Sequence, residues 1–337
     1  MEPAPMPIAK TPPMSRAEIA ALIGKDLERV EKAIGTDTIC SVEAVTTISH
    51  HLQMSGGKRL RPALLLLTAG ACGYQGDSTI RLGAVVEIIH AATLVHDDVI
   101  DQADVRRGRP SINRRWGNQT SVLAGDWLYM QAFNLALKER SFYVLDLLID
   151  LTQMMVEGEL MQMEWVGRLD VTEQEHLDLI HRKTACLFSV CSRLGAVLAE
   201  VGSEQEQRLG DYGWNLGVAF QLIDDVLDFT ATEEVLGKPV GNDLREGKVT
   251  LPLILALKQC TPAERQLVET VVREAAYKSV PLSAIQELLE KYGTIETVRS
   301  RALDYTEQAA AQLNDLPESP CKRALVSVSE MVVDRES

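Results

Sequence analysis

Apolar residues recur along most of the chain at the three- and four-residue spacing of an amphipathic helix, and no stretch shows the alternation of a strand. Ser15 is predicted to cap the first helix, because Glu18 follows at the capping-box position. Further helices are predicted over residues 77–101, 119–138, 142–166 and 172–201, with Ser203 capping the next one. The pattern predicts an all-α fold, a single-domain multi-helix bundle around a deep central cavity.

Polar breaks separate these helices and set the limits of the domain. Residues 1–14 are rich in proline and poor in large apolar side chains, so we predict a disordered N-terminal arm followed by one helical domain over residues 15–337. Gly56 and Gly57 interrupt a second helix, and Pro62 suits the first turn of a third. A basic loop over 104–118 and a polar segment over 236–248 follow two acidic helix ends.

Those two ends carry acidic pentads of the pattern D-D-x-x-D, set in otherwise apolar runs. The first pentad holds Asp97, Asp98 and Asp101, and the second pentad holds Asp224, Asp225 and Asp228. Residues four apart share a helix face, so the carboxylates would repel one another and lose solvation if that face were buried. A hard cation would relieve this, and Mg²⁺ is commonly shared between carboxylates and substrate phosphates. The alternative, a solvated acidic surface, fits the apolar flanks poorly.

Composition narrows the range of functions. The formal charge of −14 makes nucleic acid and anionic membrane surfaces poor partners, and an anionic small substrate would require local cations or metal ions. The six cysteines lack a C-x-x-C spacing, which is typical of core thiols in a reduced cytoplasm. No apolar run reaches membrane-spanning length and the N-terminus lacks a signal-peptide core, so we predict a cytoplasmic protein without stable membrane insertion.

Basic residues accompany both pentads. Lys58, Arg59 and Arg61 follow the glycine break, at a helix start whose free N–H groups also favour an anion. Other basic residues follow the pentads or stand within a helix: Arg106, Arg107, Lys183, Lys238 and Lys248. Taken alone, each of these cations could be a solvated surface charge. Together, the carboxylates and cations indicate a polyanion bound through bridging metal ions, which means a phosphate or diphosphate ligand.

These motifs resemble, in order and spacing, those of the trans-isoprenyl (polyprenyl) diphosphate synthases, and most of all the long-chain bacterial members of the octaprenyl, heptaprenyl and solanesyl type. The similarity spans roughly residues 16–335 and includes Gly56 to Pro62, His96 to Asp101, Arg106 to Gly108, Leu123 to Asp126, Lys183-Thr184, Gln221 to Asp228 and Gly237-Lys238. It implies a prenyltransferase that condenses isopentenyl diphosphate head to tail with an allylic diphosphate. It also implies about three Mg²⁺ ions per active site, a homodimer, and a long all-trans product for quinone side chains.

The resemblance implies roles position by position. The metal ligands would be the six pentad carboxylates, with Asp98 less direct than its neighbours and Asp224 foremost in the second pentad. The allylic diphosphate would contact Arg106, Lys183 and Lys238. Isopentenyl diphosphate would contact Lys58, Arg61, His90 and Arg107. Thr184 and Gln221 would flank the reacting carbons, and Lys248 completes the substrate-binding set.

Product length is predicted from the helix that leads into the first pentad. Each helical turn rises about 5.4 Å, close to one extended isoprene unit, so side chains one turn before the pentad can block or admit a growing chain. Members of the family that make short products carry bulky aromatic residues there, whereas this chain has Ala92 and Thr93. The small residues predict a longer product, with a deeper floor formed by Ile89, Phe133 and Leu137. The alternative is that Ala92 and Thr93 are only small packing residues and the product is farnesyl or geranylgeranyl diphosphate.

Three other classes compete with this interpretation. A class I terpene cyclase shares the first pentad but usually carries a different second metal motif, and it has no use for the segment from Lys58 to Arg61. A non-catalytic subunit of a heteromeric prenyl synthase tends to lose a pentad, and a di-metal carboxylate bundle requires Glu-x-x-His ligands. Both pentads and the basic segment are present here, which favours the synthase. The non-catalytic subunit is kept as the alternative.

Overall fold

The computed structural model describes residues 13–54, 56–57, 59–106, 108–232 and 239–334. Within these ranges the all-α prediction is confirmed, apart from a hairpin of two short strands, β1 (Val105–Arg106) and β2 (Arg109–Pro110). In chain order the helices are α1 (Arg16–Asp37), α2 (Glu43–Met54), α3 (Leu60–Ala71), α4 (Ser78–Ile100), α5 (Ile112–Trp116), α6 (Asn118–Ala136), α7 (Phe142–Trp165), α8 (Glu173–Ile180), α9 (Cys186–Leu198), α10 (Ser203–Thr230), α11 (Asn242–Arg245), α12 (Leu251–Leu257), α13 (Pro262–Glu274), α14 (Leu282–Lys291), α15 (Thr294–Gln312) and α16 (Pro320–Val333). A 3₁₀ turn (Leu137–Glu139) follows α6, and a π turn (His181–Ala185) joins α8 to α9.

The first helix begins as predicted. Ser15 Oγ accepts a hydrogen bond from the Glu18 N–H at 3.3 Å, and the Glu18 carboxylate accepts one from the Ser15 N–H at 2.8 Å, which completes a capping box. Residues 1–12 of the predicted arm lie outside the described residues. Met14, which the prediction also assigned to the arm, packs on the core and donates its N–H to Ser327 Oγ at 2.7 Å. The packed structure therefore includes Met14.

Two helix boundaries differ from the prediction. Ser203 is the first residue of α10 rather than its cap, because Gly202 before it adopts the extended N-cap conformation. The helix predicted over 172–201 is divided into α8, the π turn and α9. A π turn holds one residue more than a turn of α-helix, and Lys183 and Thr184 lie in this one. The extra residue changes the direction in which these two side chains point.

The core is a contiguous apolar cluster to which α3 and α10 contribute heavily. α3 is buried continuously over 62–69, which is why its sequence is apolar on every face. α10 lies so close to the π turn and α9 that two glycines are required. A Cβ added at Gly213 would collide with the carbonyl oxygen of Phe188, and one at Gly217 would lie 2.6 Å from Ala185 Cα. This close contact fixes the second pentad, further along α10, relative to the π turn.

The helix α4 corrects one expectation about the membrane. It is long and apolar enough, by length and composition, to cross a bilayer, whereas the sequence analysis found no run of that length. In the fold, 67% of its most apolar 18-residue window is buried among the other helices. A core helix and a membrane helix share this composition, so the burial accounts for the apolar sequence of α4.

Candidate active site

A cavity of about 1050 Å³ opens between α1, α3, α4, α7, α8, the π turn, α10 and α16. Its polar wall gathers residues that the sequence analysis singled out, from distant parts of the chain: Arg61, His90, Lys183, Thr184, Gln221, Asp224, Asp225 and Lys248. Much of the remaining wall is apolar and includes Leu64, Phe220 and Val328. The fold therefore brings these eight predicted site residues to one place.

The first pentad lies at the end of α4, beside this cavity. Burial, together with the neighbouring carboxylates of Glu159 and Asp101, raises the pKa of the Asp97 carboxyl to about 6 against the opposing effect of nearby cations. Asp101 Oδ1 accepts a hydrogen bond at 3.0 Å from Lys248 Nζ, which belongs to the cavity wall. The charge of Asp97 is thus costly in this fold, which is what a site made for an added cation should show.

Asp98, the second residue of this pentad, is turned into the protein. It is 1% exposed, and it accepts hydrogen bonds from Arg106 Nε and, at 3.2 Å, from the Ile112 N–H. Both donors belong to the segment that follows α4, so Asp98 fastens that segment to the helix. Asp98, predicted to be the less direct ligand of its pentad, has protein donors on both oxygens. Arg106, whose predicted contact is the allylic diphosphate, binds this carboxylate of its own chain.

In the second pentad, too, the second aspartate is turned into the protein. Asp224 and Asp225 both line the cavity, but Asp225 is 1% exposed and has both carboxylate oxygens engaged. Its Oδ2 lies 2.8 Å from His176 Nε2, and its Oδ1 accepts a hydrogen bond at 3.0 Å from Gln221 Nε2. Asp225, a predicted metal ligand, thus has protein partners on both oxygens, as Asp98 does.

The third residue of the second pentad also faces the protein. Asp228 is 1% exposed, and its Oδ2 accepts a hydrogen bond at 3.2 Å from the Asp243 N–H. Its own carbonyl oxygen accepts a hydrogen bond from the Gly241 N–H at 2.6 Å. Asp228 thus ties the chain around α11 back to α10, which closes one side of the site.

Two cations of the cavity wall, Arg61 and Lys183, have partners within the protein. Arg61 lies over the ring of Phe188, with its Cζ 5.3 Å from the ring centroid, and burial lowers the pKa of its guanidinium. Lys183 Nζ is 2.5 Å from both Glu159 Oε2 and Gln162 Oε1, two side chains of α7. Both cations are held in place before any ligand arrives.

Lys248 links the cavity to the first pentad. Its Nζ is 3.0 Å from Asp101 Oδ1 and 2.8 Å from Glu246 Oε2. Burial disfavours its charge, but the two carboxylates outweigh burial and raise the pKa of Lys248. The other predicted contacts, Lys58, Arg107 and Lys238, lie outside the described residues.

Thr184 and Gln221 lie together, as their predicted role at the reacting carbons requires. Thr184 Oγ1 is in the π turn and donates a hydrogen bond at 2.9 Å to Gln221 Oε1, and both residues line the cavity. His90 lines the same cavity from α4.

The predicted chain-length residues are placed less uniformly. Ile89 and Ala92 are fully buried in the core, and Thr93 Oγ1 donates a hydrogen bond at 2.8 Å to the His90 carbonyl oxygen. Phe133 packs partly against the core, whereas Leu137 is 48% exposed. Leu137 lies in the 3₁₀ turn beyond the end of α6, so its side chain reaches solvent rather than a floor within this chain.

The donor set at the pentads fits Mg²⁺. Among the described residues, no three His, Cys, Asp or Glu side chains converge as a closed metal site. The pentads instead offer oxygen ligands from two separate helices, so a bound ion would need further oxygens from water or from a ligand. Mg²⁺ binds in this way, whereas structural zinc sites are closed and rich in nitrogen and sulfur.

Three residues of the site escaped the sequence analysis: His176, Glu159 and Gln162. Glu159 and Gln162 are three residues apart on α7, a spacing that could have indicated a shared polar partner. His176 gave no such signal, because its partner Asp225 is 49 positions away in the chain.

The sequence model of the polyprenyl synthetase family matches residues 42–289. The octaprenyl diphosphate synthase of Escherichia coli (strain K12) is 38% identical over 323 residues, which is 96% of this chain and 100% of that protein. A crystal structure of a polyprenyl synthase from Caulobacter crescentus CB15, complexed with calcium and isoprenyl diphosphate, is 35% identical and superposes with a TM-score of 0.92 over 97% of this chain and 100% of that one. A decaprenyl diphosphate synthase from Rhodobacter capsulatus, also 35% identical, superposes with a TM-score of 0.90 over 96% of this chain and 100% of that one.

Proposed function

The chain belongs to the polyprenyl synthetase family, and from that premise we propose that it is a long-chain polyprenyl diphosphate synthase. It is a prenyltransferase, and the proposed reaction joins isopentenyl diphosphate, head to tail, to an allylic diphosphate and repeats this step. The observation that carries the proposal is that the second pentad and the cations Arg61, Lys183 and Lys248 line one cavity, to which the Lys248–Asp101 ion pair joins the first pentad.

The first step is departure of the allylic diphosphate. Asp97, Asp101 and Asp224 would hold Mg²⁺, which when bound would supply positive charge to the leaving group. Lys183 and Lys248 add two fixed positive charges, and because they are in place before the reaction they stabilise the developing negative charge without reorganisation. Asp98 and Asp225 hold the surrounding segments rather than the metal in this proposal.

The second step is attack by the double bond of isopentenyl diphosphate on the allylic cation. Arg61 and His90 are proposed to bind the diphosphate of this substrate, and the oxygen of Thr184, which lines the same cavity, is proposed to stabilise the cation. The departed diphosphate accepts the proton that is lost, so no side-chain base is required. The apolar wall keeps out water, which would otherwise convert the cation to an alcohol. Lys58, Arg107 and Lys238 keep their predicted diphosphate contacts within this proposal.

The test of activity and of product length is one experiment. Purified protein is incubated with Mg²⁺, farnesyl diphosphate and radiolabelled isopentenyl diphosphate, and the products are separated by chain length. A ladder that extends well beyond geranylgeranyl diphosphate supports the long-chain proposal. A stop at farnesyl or geranylgeranyl diphosphate keeps the enzyme class and contradicts the long product. No condensation with any allylic starter would favour the non-catalytic subunit.

Thr93→Phe tests whether the helix before the first pentad limits the product. Thr93 is half-buried on α4, so a bulky ring there is expected to shorten the longest product by at least one isoprene unit. Thr297→Phe on the exposed surface of α15 is the matched control and should leave the ladder unchanged. An unchanged ladder in both variants would place the growing chain elsewhere.

A homodimer is also part of the proposal. Exposed apolar side chains follow one another at helical spacing along two neighbouring helices: Leu123 and Met130 on α6, and Ile149, Val156, Leu160 and Met163 on α7. A stripe of this kind on adjacent helices suits a second copy of the chain. Leu160→Glu is expected to shift the mass measured by light scattering from dimer to monomer, whereas Leu303→Glu, equally apolar and exposed on α15, should not.

A further inference from the structure

Four side chains form a continuous series of hydrogen bonds at the edge of the cavity. His176 Nε2 lies 2.8 Å from Asp225 Oδ2, Gln221 Nε2 donates to Asp225 Oδ1 at 3.0 Å, and Thr184 Oγ1 donates to Gln221 Oε1 at 2.9 Å. The series joins α8, α10 and the π turn. His176 and Asp225 are buried, so water competes little for their bond.

The carboxylate of Asp225 determines the direction of every bond in this series. A carboxylate only accepts, so His176 must present Nε2–H and Gln221 must present its amide NH₂. The amide oxygen of Gln221 then points the other way, toward Thr184, and can only accept. The Thr184 hydroxyl must therefore donate its proton to Gln221, which leaves its oxygen lone pairs for the cavity that Thr184 lines.

We infer that His176 is a positioning residue for the condensation, acting through Asp225 and Gln221 on the orientation of the Thr184 hydroxyl. The inference rests on the proposed function, in which an allylic cation forms beside Thr184. An oxygen with its lone pairs toward the cation stabilises it, whereas a hydroxyl with its proton toward the cation repels it. Without the donor at position 176, Asp225 has a vacant acceptor, and the Gln221 amide and Thr184 hydroxyl lose their single defined orientation.

A packing role for His176 predicts something different. If the ring only fills space, then its size should matter and its N–H should not. If it positions Asp225, then the N–H should matter, and a side chain of another shape with a donor at the same reach should replace it. Glutamine is such a side chain, because its amide nitrogen extends about as far from the backbone as histidine Nε2, whereas methionine has similar length and no donor.

The experiment compares His176→Met with His176→Gln. We expect His176→Met to lower kcat about 10- to 100-fold while the KM of each substrate changes less than about threefold, since the substrates' diphosphates are bound elsewhere. His176→Gln is expected to recover most of that loss. Thr172→Ala is the matched control, because it removes the side-chain cap of the same helix, α8, without touching the series. It should lower the unfolding temperature and leave kcat unchanged.

A double-mutant cycle tests the route. Gln221→Met breaks the series between Asp225 and Thr184, so in that background His176→Met should cause little further loss of kcat. Equal losses in His176→Met and His176→Gln, a loss confined to KM, or additive losses in the cycle would each overturn the inference. If His176→Met does not fold, His176→Asn replaces it, since its shorter amide falls short of Asp225. The wild-type reaction in the same assay separates the two proposals, because absence of condensation there contradicts the proposed function itself.

Discussion

The two acidic pentads share one sequence pattern and differ in their partners. On α4, the partners are mainly cations: Arg106 binds Asp98, and Lys248 binds Asp101. On α10, the partners are a histidine, an amide and a backbone N–H, which bind Asp225 and Asp228 inside the fold. A metal with its diphosphate can compete for the salt bridges at the first pentad, whereas the hydrogen bonds at the second pentad are part of the packed interior.

The comparison shows that the aspartates within one pentad have different roles. In each pentad the second aspartate anchors a neighbouring segment, Asp98 the loop after α4 and Asp225 the helix α8. The first aspartate of each pentad remains at the site. The same spacing therefore supplies one metal-binding side chain and one structural side chain on each helix.

The largest expected effect is loss of activity at the first aspartates, where the two pentads should behave alike. Asp97→Asn and Asp224→Asn each remove a proposed Mg²⁺ ligand, so kcat at saturating substrate should fall by about 10³-fold or more. Asp26→Asn is the control, because Asp26 pairs with Arg29 on the exposed face of α1. If Asp224→Asn kept a tenth of the wild-type rate, the second pentad would not be part of the metal site.

The next effect concerns stability and should appear at the first pentad. The pKa of the Asp97 carboxyl is raised from 3.8 to about 6, so its ionisation is less favourable in the folded chain than in the unfolded chain. Its contribution to the free energy of unfolding is therefore highest below pH 3.8, is lost as the pH rises to about 6, and stays low above that. Asp97→Asn should raise the free energy of unfolding of metal-free protein at pH 8 by about 1–3 kcal/mol. Urea unfolding in the presence of a chelator measures this, and a less stable variant would contradict it.

Replacing the second aspartate of either pentad should lower the free energy of unfolding, whereas Asp97→Asn should raise it, and the loss should be larger at Asp98 than at Asp225. Asp98→Asn leaves the partly buried guanidinium of Arg106 beside a neutral amide, which should lower the free energy of unfolding by about 1–3 kcal/mol. Asp225→Asn keeps one acceptor for the donors around it and should cost about 1 kcal/mol. Asp77→Asn, at a highly exposed pair with Arg29, is the control for the substitution itself. Equal losses at Asp98 and Asp225 would mean that the charge of the partner does not matter.

The smallest effect should come from the link between the cavity and the first pentad. Lys248→Met leaves Asp101 and Glu246 without their shared cation and should raise the KM of the allylic diphosphate about 10-fold, with a smaller change in kcat. Lys258→Met removes an exposed pair with Glu173 and should leave both constants unchanged. Steady-state rates over a range of allylic diphosphate concentrations separate the two variants.

Short-range geometry explains what the sequence could predict. The capping box at Ser15 and the spacing of each pentad depend on residues three or four apart, and a helix fixes the relation between such residues. The motif order around Arg61, Lys183 and Asp224 was also sufficient to expect one site, and the fold brings these side chains to one cavity.

The features that could not be predicted from the sequence depend on contacts between residues far apart in the chain. Periodicity shows which residues share a helix face but not the direction in which that face turns. Leu137, predicted as part of the floor, is therefore exposed, and the burial of Asp98 against the segment after α4 could not be predicted. The partners of Asp225 come from another helix, 49 positions away in the case of His176. The π turn could not be predicted from the sequence, because the helical spacing of apolar residues continues through it.

The π turn over His181–Ala185 also constrains how the length of this protein can change over generations. Each residue advances an α-helix by about 100°, so deleting one residue from the turn would restore a regular helix and rotate α8 by that angle relative to α9. His176 and Thr184 could not then both keep their present neighbours. Single amino-acid replacements can accumulate in this segment, whereas the insertion or deletion of one residue would disturb the site. The number of residues in the π turn should therefore stay constant.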